Sequence, residues 1–153
     1  MKALLLEGKS SLELSEVQKP IPEKGQVLVR LKAAALNRRD HWIRQGKYPN
    51  IHLNTILGSD GAGIIESIGE GVDPNYIGRE VIINPNINWG DDPKVQSQTY
   101  HILGMPTNGT FAEYVTVNSD RIHAKPDHLS WPEAASLPLG GLTAYRALFT
   151  HGK

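Results

Sequence analysis

The sequence predicts a mainly β fold with a few helices, and three observations support this prediction. Val and Leu recur through Gln26 to Ala35, with Arg30 and Lys32 at alternating positions, as in a strand with one buried face. The 15 glycines and 10 prolines among 153 residues divide the chain into segments too short for long helices. Helical patterns are confined to the residues after Asn37 and to the end of the chain.

Taken in order, the elements begin with two short strands, which Pro20 and Pro22 end because proline lacks a backbone donor. A short helix over residues 37–45 is closed by Gly46. Residues 84–108 are polar and have no period, so they are expected to form a long loop or lobe. The predicted strands cover residues 1–7, 12–17, 26–35, 61–69, 78–84, 111–117 and 121–124. Helical turns are predicted from Pro132 and over residues 143–150.

Composition excludes several classes of function. The 16 basic and 16 acidic residues cancel, so nothing favours binding to nucleic acid or to an anionic membrane surface. The absence of cysteine rules out disulfides, thiolate catalysis and zinc sites that need sulfur. The apolar run at residues 3–6 is too short for a signal peptide or a membrane span. We therefore expect a cytoplasmic protein.

Six short motifs follow one another along the chain: Pro20–Val29, Ala35–Asp40, Gly58–Gly63, Ile77–Val81, Gly109–Tyr114 and Ala134–Tyr145. In this order they resemble the N-terminal half of the medium-chain dehydrogenase/reductase superfamily. One motif alone is weak, whereas six in register are specific and cover almost the whole chain. The resemblance implies a GroES-like, partly open β-barrel over residues 1–130, which forms the substrate side of a cleft, and a helical junction over residues 131–153.

In this superfamily the barrel is followed by a Rossmann domain, whose glycine-rich turn holds a dinucleotide pyrophosphate. The chain has no G-x-G-x-x-G pattern, because Pro74 and Glu66 stand where a third glycine would complete the two candidate turns. The C-terminal helices are therefore expected to lead toward an absent Rossmann domain. NAD(P)H would then bind firmly only in the full-length protein, and the chain alone is expected to be inactive.

The resemblance also locates the positions at which zinc-dependent members hold the catalytic ion with Cys, His and Cys. Here Asn37, Ser59 and Leu139 occupy them, with Asp60 next to Ser59. An amide, a hydroxyl and a hydrocarbon are poor partners for Zn²⁺, so no zinc is expected. The four-cysteine structural lobe of the superfamily corresponds to residues 84–108, which keep its length and lack its ligands.

Residues 37–48 are similar to the zinc-free quinone oxidoreductases of the superfamily. This similarity implies hydride transfer from NAD(P)H to a quinone, an enone or an aldehyde. Quinones and enones do not need a Lewis acid, because hydrogen bonds can hold the charge that develops on their oxygen. By resemblance, the catalytic candidates are Asn37, Asp40, Ser59 and Asp60, the cofactor contacts are Asn37, Asp40 and Thr143, and the substrate contacts are Trp42 and Tyr48.

Each of these residues also has a structural interpretation, which the sequence leaves open. Asn37 and Asp40 suit the start of a helix as capping residues. Trp42 suits a core position as well as a pocket, and Tyr48 precedes a proline in a predicted turn. Asp60 lies between small residues and could accept backbone N–H bonds in a turn.

Two further groups of residues carry weaker signals. Gly58, Gly61 and Gly63 favour a close approach of two strands over contact with a ligand. Arg38 and Arg39 could bind an anionic phosphate, although a solvated pair of charges is the commoner outcome.

Two alternative functions remain open. One is a zinc-type alcohol dehydrogenase with a degenerate metal site, and the other is a non-enzymatic GroES-like interaction module. An apolar strip over residues 137–148 would favour association if it is exposed. The expected partners are a small-molecule substrate and the missing Rossmann domain. Self-association into a homo-oligomer is left open, and neither nucleic acid nor membrane is expected as a partner.

Overall fold

The computed structural model describes residues 1–152, and within that range the chain forms three antiparallel sheets and a few short helices. The strands are β1 (Lys2–Gly8), β2 (Ser11–Glu16), β3 (Gln26–Ala35), β4 (Thr55–Ile56), β5 (Asp60–Ile68), β6 (Glu80–Ile83), β7 (Asn86–Ile87), β8 (His101–Ile102), β9 (Tyr114–Asn118) and β10 (Ile122–Ala124). The helices are α1 (Arg38–Arg44), α2 (Trp131–Ser136) and α3 (Pro138–Tyr145). A π-helix over Arg146–His151 continues α3, and single 3-10 turns lie at Pro74–Tyr76 and Ser119–Arg121.

The largest sheet has five strands in the order β10-β6-β5-β3-β9. Its longest strand, β3, has the predicted bounds, and Val27 and Val29 contribute to the main core cluster, whereas Leu28 is buried on the opposite face. Beyond Arg30 the strand alternates between exposed and partly buried residues. The predicted alternation therefore holds only where the outer face of β3 meets solvent, because both faces are covered near its start.

The second sheet has the order β2-β1-β4, and α1 packs against it. Leu6 of β1 and Ile43 of α1 share a buried cluster with Leu57 and Met105. The two-residue strand β4, which pairs with Leu5 and Leu6 of β1, was not predicted because two residues show no period. These sheets remain open and do not close into a complete barrel. The partly open architecture that the resemblance implied is therefore confirmed.

The lobe at residues 84–108 is mostly irregular, as predicted, but it contains the short pair β7 and β8. The Trp89 and Tyr100 rings pack edge to face with their centroids 5.0 Å apart, and the Tyr100 hydroxyl donates to the Asn86 side chain. The lobe thus has a small aromatic and polar core of its own.

The C-terminal helices begin earlier than predicted. Helix α2 starts at a capping box, in which the Glu133 carboxylate accepts the Ser130 backbone N–H at 2.9 Å. Helix α3 starts at Pro138 instead of Thr143, since proline suits the first helical position and the following pair of glycines does not break the helix. In the part of the chain that the structure describes, no helix is both long enough and apolar enough to cross a membrane.

Candidate functional site

The start of α1 places two of the candidate residues. Asn37 is the N-cap of the helix, and its backbone N–H donates to the Asp40 carboxylate at 2.8 Å. The Asp40 backbone N–H donates in turn to the Asn37 carbonyl at 3.0 Å. The Asp40 side chain therefore caps the helix, while Asn37 holds the N-cap position and its side-chain N–H groups are free to make a different contact.

That contact is with Asp60, the first residue of β5. The Asn37 side-chain amide donates to one Asp60 carboxylate oxygen at 3.0 Å, and the Leu139 backbone N–H donates to the other at 2.9 Å. Asp60 is only 1% exposed. It does accept a backbone N–H, as the turn interpretation supposed, but the donor lies 79 residues further along the chain. Asp60 therefore joins the start of α1 to the first turn of α3.

Both carboxyl groups at the site are harder to ionise than usual. Burial raises the pKa of Asp60, hydrogen bonds from Asn37 and Leu139 lower it, and the nearby charge of Asp40 raises it further. Burial also raises the pKa of Asp40, against the lowering effect of the Asn37 backbone hydrogen bond and the Arg39 charge. The site thus contains two buried carboxyl groups, those of Asp60 and Asp40, which repel each other when both are ionised.

Ser59 and Arg39 form the floor of the site. Ser59 is fully buried, and its hydroxyl accepts a bond from Arg39 Nη1 at 2.8 Å and donates to the Leu103 carbonyl at 2.9 Å. Arg39 is 9% exposed and makes four further hydrogen bonds. The expectation of a solvated arginine pair is wrong for Arg39. Its carbonyl partners lie more than 60 residues away in sequence, so no local signal could have indicated them.

The two aromatic candidates lie on different sides of α1. The ring of Trp42 is half-buried, with the Arg38 guanidinium 5.4 Å and the Lys47 ammonium 5.6 Å from its centroid. Tyr48 packs against the cluster that contains Ile43, and its hydroxyl accepts a hydrogen bond from Arg39 Nε at 3.2 Å. Tyr48 is therefore tied to the floor of the site through Arg39.

Thr143, the expected cofactor contact at the junction, lies on the exposed side of α3. Its hydroxyl donates to the Leu139 carbonyl at 2.8 Å, which places it one helical turn beyond the residue that Asp60 holds. The structure thus brings Asn37, Asp40, Ser59 and Asp60 together at the site, while Thr143 lies beside them along α3.

These contacts do not fit a zinc ion. The Asn37 amide turns an N–H toward Asp60, the Ser59 hydroxyl already contacts a guanidinium cation, and Leu139 offers only a backbone N–H. Zinc sites need lone pairs from several thiolate, imidazole or carboxylate groups. Across residues 1–152, no three His, Asp or Glu side chains are grouped so that they could hold a metal.

The glycines around the site allow a close approach of strands, as predicted. A Cβ on Gly63 would lie 2.2 Å from the Arg30 carbonyl oxygen on β3. A Cβ on Gly58 would lie 2.5 Å from the Phe111 ring, and the Gly58 φ of 95° favours glycine in any case. The backbone before and after Ser59 and Asp60 is therefore packed too tightly for any other residue type at these glycines.

A sizeable cavity lies away from the candidate site. It has a volume of about 610 Å³ and opens between β1 and β9, with Asn54, His101 and Arg121 among the residues that line it. None of the candidate residues lines this cavity. The candidate site is instead a buried polar network beneath α1, with Trp42 and Thr143 toward solvent.

A mainly β domain with open sheets and a junction helix bound by Asp60 is the fold that the resemblance to the medium-chain dehydrogenase/reductase superfamily implied. Comparison with known families gives the same result, since the alcohol dehydrogenase GroES-like domain matches residues 23–127. The chain belongs to this family, the N-terminal domain of the medium-chain dehydrogenase/reductase superfamily.

Individual relatives include both alcohol dehydrogenases and a quinone oxidoreductase. A zinc-type alcohol dehydrogenase-like protein, YogA of Leptosphaeria maculans, is 35% identical over 91% of this chain and 41% of its own length. The crystal structure of an NAD-dependent alcohol dehydrogenase is 37% identical with a TM-score of 0.91, over 99% of this chain and 47% of that one. The quinone oxidoreductase of Coxiella burnetii is 31% identical with a TM-score of 0.79, over 98% and 44%. The chain thus spans less than half the length of these relatives.

Proposed function

We propose that the full-length protein is a zinc-independent, NAD(P)H-dependent oxidoreductase that reduces quinones, enones or aldehydes by hydride transfer. Residues 1–130 provide the substrate side of its cleft, and residues 131–153 lead to the nucleotide-binding domain. One observation carries the proposal. By the resemblance, Asn37, Ser59 and Leu139 occupy the positions of the zinc ligands, and here Asn37 and Leu139 donate to Asp60 while Ser59 accepts from Arg39.

In this proposal the residues of the chain bind and orient the substrate. NAD(P)H, when bound, supplies the hydride. The second N–H of the Asn37 amide and the hydroxyl of Tyr48 are the donors that hold the substrate oxygen, and preorganised donors of this kind stabilise the charge that develops there. The half-exposed Trp42 ring offers an apolar surface for a flat acceptor.

The contact to the cofactor is proposed for Asn37, Asp40 and Thr143. Asn37 lies at the start of α1, and Asp40 fixes it there by accepting its backbone N–H. The exposed Thr143 stands on the helix that leads out of the barrel. The glycine-rich turn that would hold the pyrophosphate is proposed to belong to the nucleotide-binding domain.

The proposal is supported by the chemistry of the donor set and by the quinone oxidoreductase among the relatives. The relatives named as alcohol dehydrogenases favour the alternative of a degenerate zinc-type enzyme. The exposed apolar residues of the junction favour the other alternative, an interaction module, because Leu148 is 67% and Phe149 63% exposed.

The test is an assay of the full-length gene product with NADH and with NADPH, against a quinone, an enone, an aldehyde and a simple alcohol. Each assay is run before and after dialysis against a chelator, with a zinc-dependent alcohol dehydrogenase treated in parallel as control. We expect quinone or enone reduction that the chelator leaves unchanged, in protein that contains no stoichiometric zinc. Activity that is lost with chelator and restored by zinc supports the zinc-type alternative, and no turnover with any acceptor supports the interaction module.

A further inference from the structure

The Arg39 guanidinium uses every N–H that it has. Nε donates to the Tyr48 hydroxyl at 3.2 Å, and Nη1 donates to Ser59 Oγ at 2.8 Å and to the Leu103 carbonyl at 3.0 Å. Nη2 donates to the Ile102 and Met105 carbonyls at 3.1 and 2.9 Å. An arginine has five such donors, so none is left for a substrate. Whatever Arg39 contributes to the site, it contributes through the groups it holds.

Among those groups, Tyr48 is the one with a hydrogen still to give. Its oxygen accepts the bond from Arg39, and within residues 1–152 this hydroxyl makes no other hydrogen bond. The Tyr48 O–H must therefore point away from the guanidinium. An oxygen that accepts from a cation also becomes a better donor, because hydrogen bonds in a chain polarise one another.

The Tyr48 ring is fixed as well as its oxygen. The Arg39 guanidinium carbon lies 5.1 Å from the ring centroid, and the ring packs on the cluster that contains Ile43 and Met105. The three carbonyls that Arg39 binds belong to the end of β8 and the segment after it, so the same guanidinium holds the end of the lobe against α1. Arg39 therefore sets the position of Tyr48 relative to both α1 and the lobe.

We propose that Arg39 is a positioning residue for the reduction, which directs the Tyr48 hydroxyl as a hydrogen-bond donor to the substrate oxygen. This inference rests on the proposed function and concerns the same site. Tyr48 donates a hydrogen bond in it and does not transfer a proton, so no covalent step is added to the hydride transfer. The Arg39 guanidinium stays buried and does not contact the substrate. It acts on the substrate only by orienting the Tyr48 hydroxyl.

Lysine cannot replace arginine in this role. Its ammonium group has three donors on one atom, whereas the guanidinium places five donors in a planar fork. Arg39→Lys keeps the charge but cannot reach the Tyr48 hydroxyl, Ser59 and three carbonyls together. The substitution therefore separates the effect of charge from the effect of geometry.

The experiment is a double-mutant cycle in the full-length protein with Arg39→Lys, Tyr48→Phe and the double variant, assayed for reduction of the best acceptor. Arg30→Met is the matched control, since Arg30 is an exposed arginine on β3 that contacts Glu66. We expect each single variant to lower kcat roughly a hundredfold to a thousandfold, as loss of one oxyanion donor does. The double variant should be no slower than the slower single one, because both remove the same interaction. The control should keep the wild-type kcat.

Three results would overturn the inference. An unchanged kcat in Tyr48→Phe would overturn the inference without any further result. This variant keeps the other four hydrogen bonds of Arg39, so it should fold. A kcat that Arg39→Lys leaves unchanged, in a folded variant, would overturn the inference too. Equal losses from Arg39→Lys in the wild-type protein and in the Tyr48→Phe variant would show that Arg39 acts independently of Tyr48.

A failure of the proposed function gives a different result. If the wild type reduces no acceptor, the reductase proposal fails, and the dissociation constant of the unreduced quinone is then measured by quenching of tryptophan fluorescence. Weaker binding in both single variants, without further loss in the double variant, supports the positioning of Tyr48 by Arg39. Equal dissociation constants in all four proteins would overturn it.

Discussion

Replacement of Asp60 tests the polar network that joins the barrel to the junction helix. In Asp60→Ala, the Asn37 amide and the Leu139 backbone N–H both lose their acceptor. A buried donor without an acceptor costs about 1–3 kcal/mol. The cost of burying the Asp60 carboxyl, which its raised pKa reflects, is removed at the same time. We therefore expect the free energy of unfolding to fall by about 2–4 kcal/mol.

The Asp60→Asn variant should be much milder. The new amide oxygen can still accept the Leu139 N–H, and the Asn37 amide can rotate so that its oxygen accepts from the new NH₂ group. The Leu139 donor then keeps an acceptor and the contact with Asn37 is restored, so the expected loss is about 1 kcal/mol or less. The contrast between the two variants separates the hydrogen bonds from the charge.

The pH dependence of stability has a definite sign. Burial, the largest cause, raises the pKa of Asp60 in the folded protein above its usual value of 3.8. At pH values between 3.8 and the higher pKa of the folded protein, the folded state therefore binds more protons than the unfolded state. Stability of the wild type relative to Asp60→Asn is therefore greatest at acid pH and declines as the pH rises from about 3.8 through the folded pKa.

Urea denaturation at a series of pH values between about 4 and 7 measures both effects. The control is Asp127→Asn, which changes an exposed aspartate outside the site. The reasoning is refuted if Asp60→Ala is as stable as the wild type. It is equally refuted if the wild type gains stability over Asp60→Asn as the pH rises.

Gly63→Ala should lower the free energy of unfolding by about 3 kcal/mol, because the new Cβ would lie 2.2 Å from the Arg30 carbonyl oxygen. Gly140→Ala is a helical control with no atom within 4 Å of the new Cβ. It should raise the free energy of unfolding by about 0.5–1 kcal/mol in the same urea titration. Equal effects at both sites would contradict the packing argument. Leu148→Ser and Phe149→Ser should each change stability by no more than about 0.5 kcal/mol while reducing self-association of the 153-residue chain in sedimentation experiments. Unchanged association in both variants would show that these exposed side chains do not hold copies of the chain together.

Patterns within short stretches of sequence predicted the strands and helices whose residues alternate in polarity or carry end signals. The strand over residues 26–35 and the helix after Asn37 were found with little error, because one alternates in polarity and the other has a cap at its start and Gly46 at its end. Where the pattern was short or contradictory, prediction failed. The strand β4 has two residues, and the pair of glycines in α3 hid the start of that helix.

The candidate site was predicted as a set of positions, by resemblance, and not as a set of contacts. For Asn37 and Asp40, a cap at the start of a helix was one of the interpretations that the sequence left open. Nothing near Arg39 in the sequence indicates burial, since a pair of arginines on a short helix is typical of a solvated surface. Its partners, Ser59 and the carbonyls at and after the end of β8, come near it only when the lobe folds back over α1.

The sequence by itself determined the strand-rich class of the fold, the family to which it belongs and the loss of sulfur ligands, because these depend on residue types and on their order. Only the tertiary structure decided that Asp60 binds the junction helix and that Arg39 serves Tyr48, Ser59 and the lobe together. Hydrogen bonds between residues far apart in the chain leave no local pattern. Their partners are chosen by how the sheets and α1 pack, and burial then makes each of those bonds costly to lose.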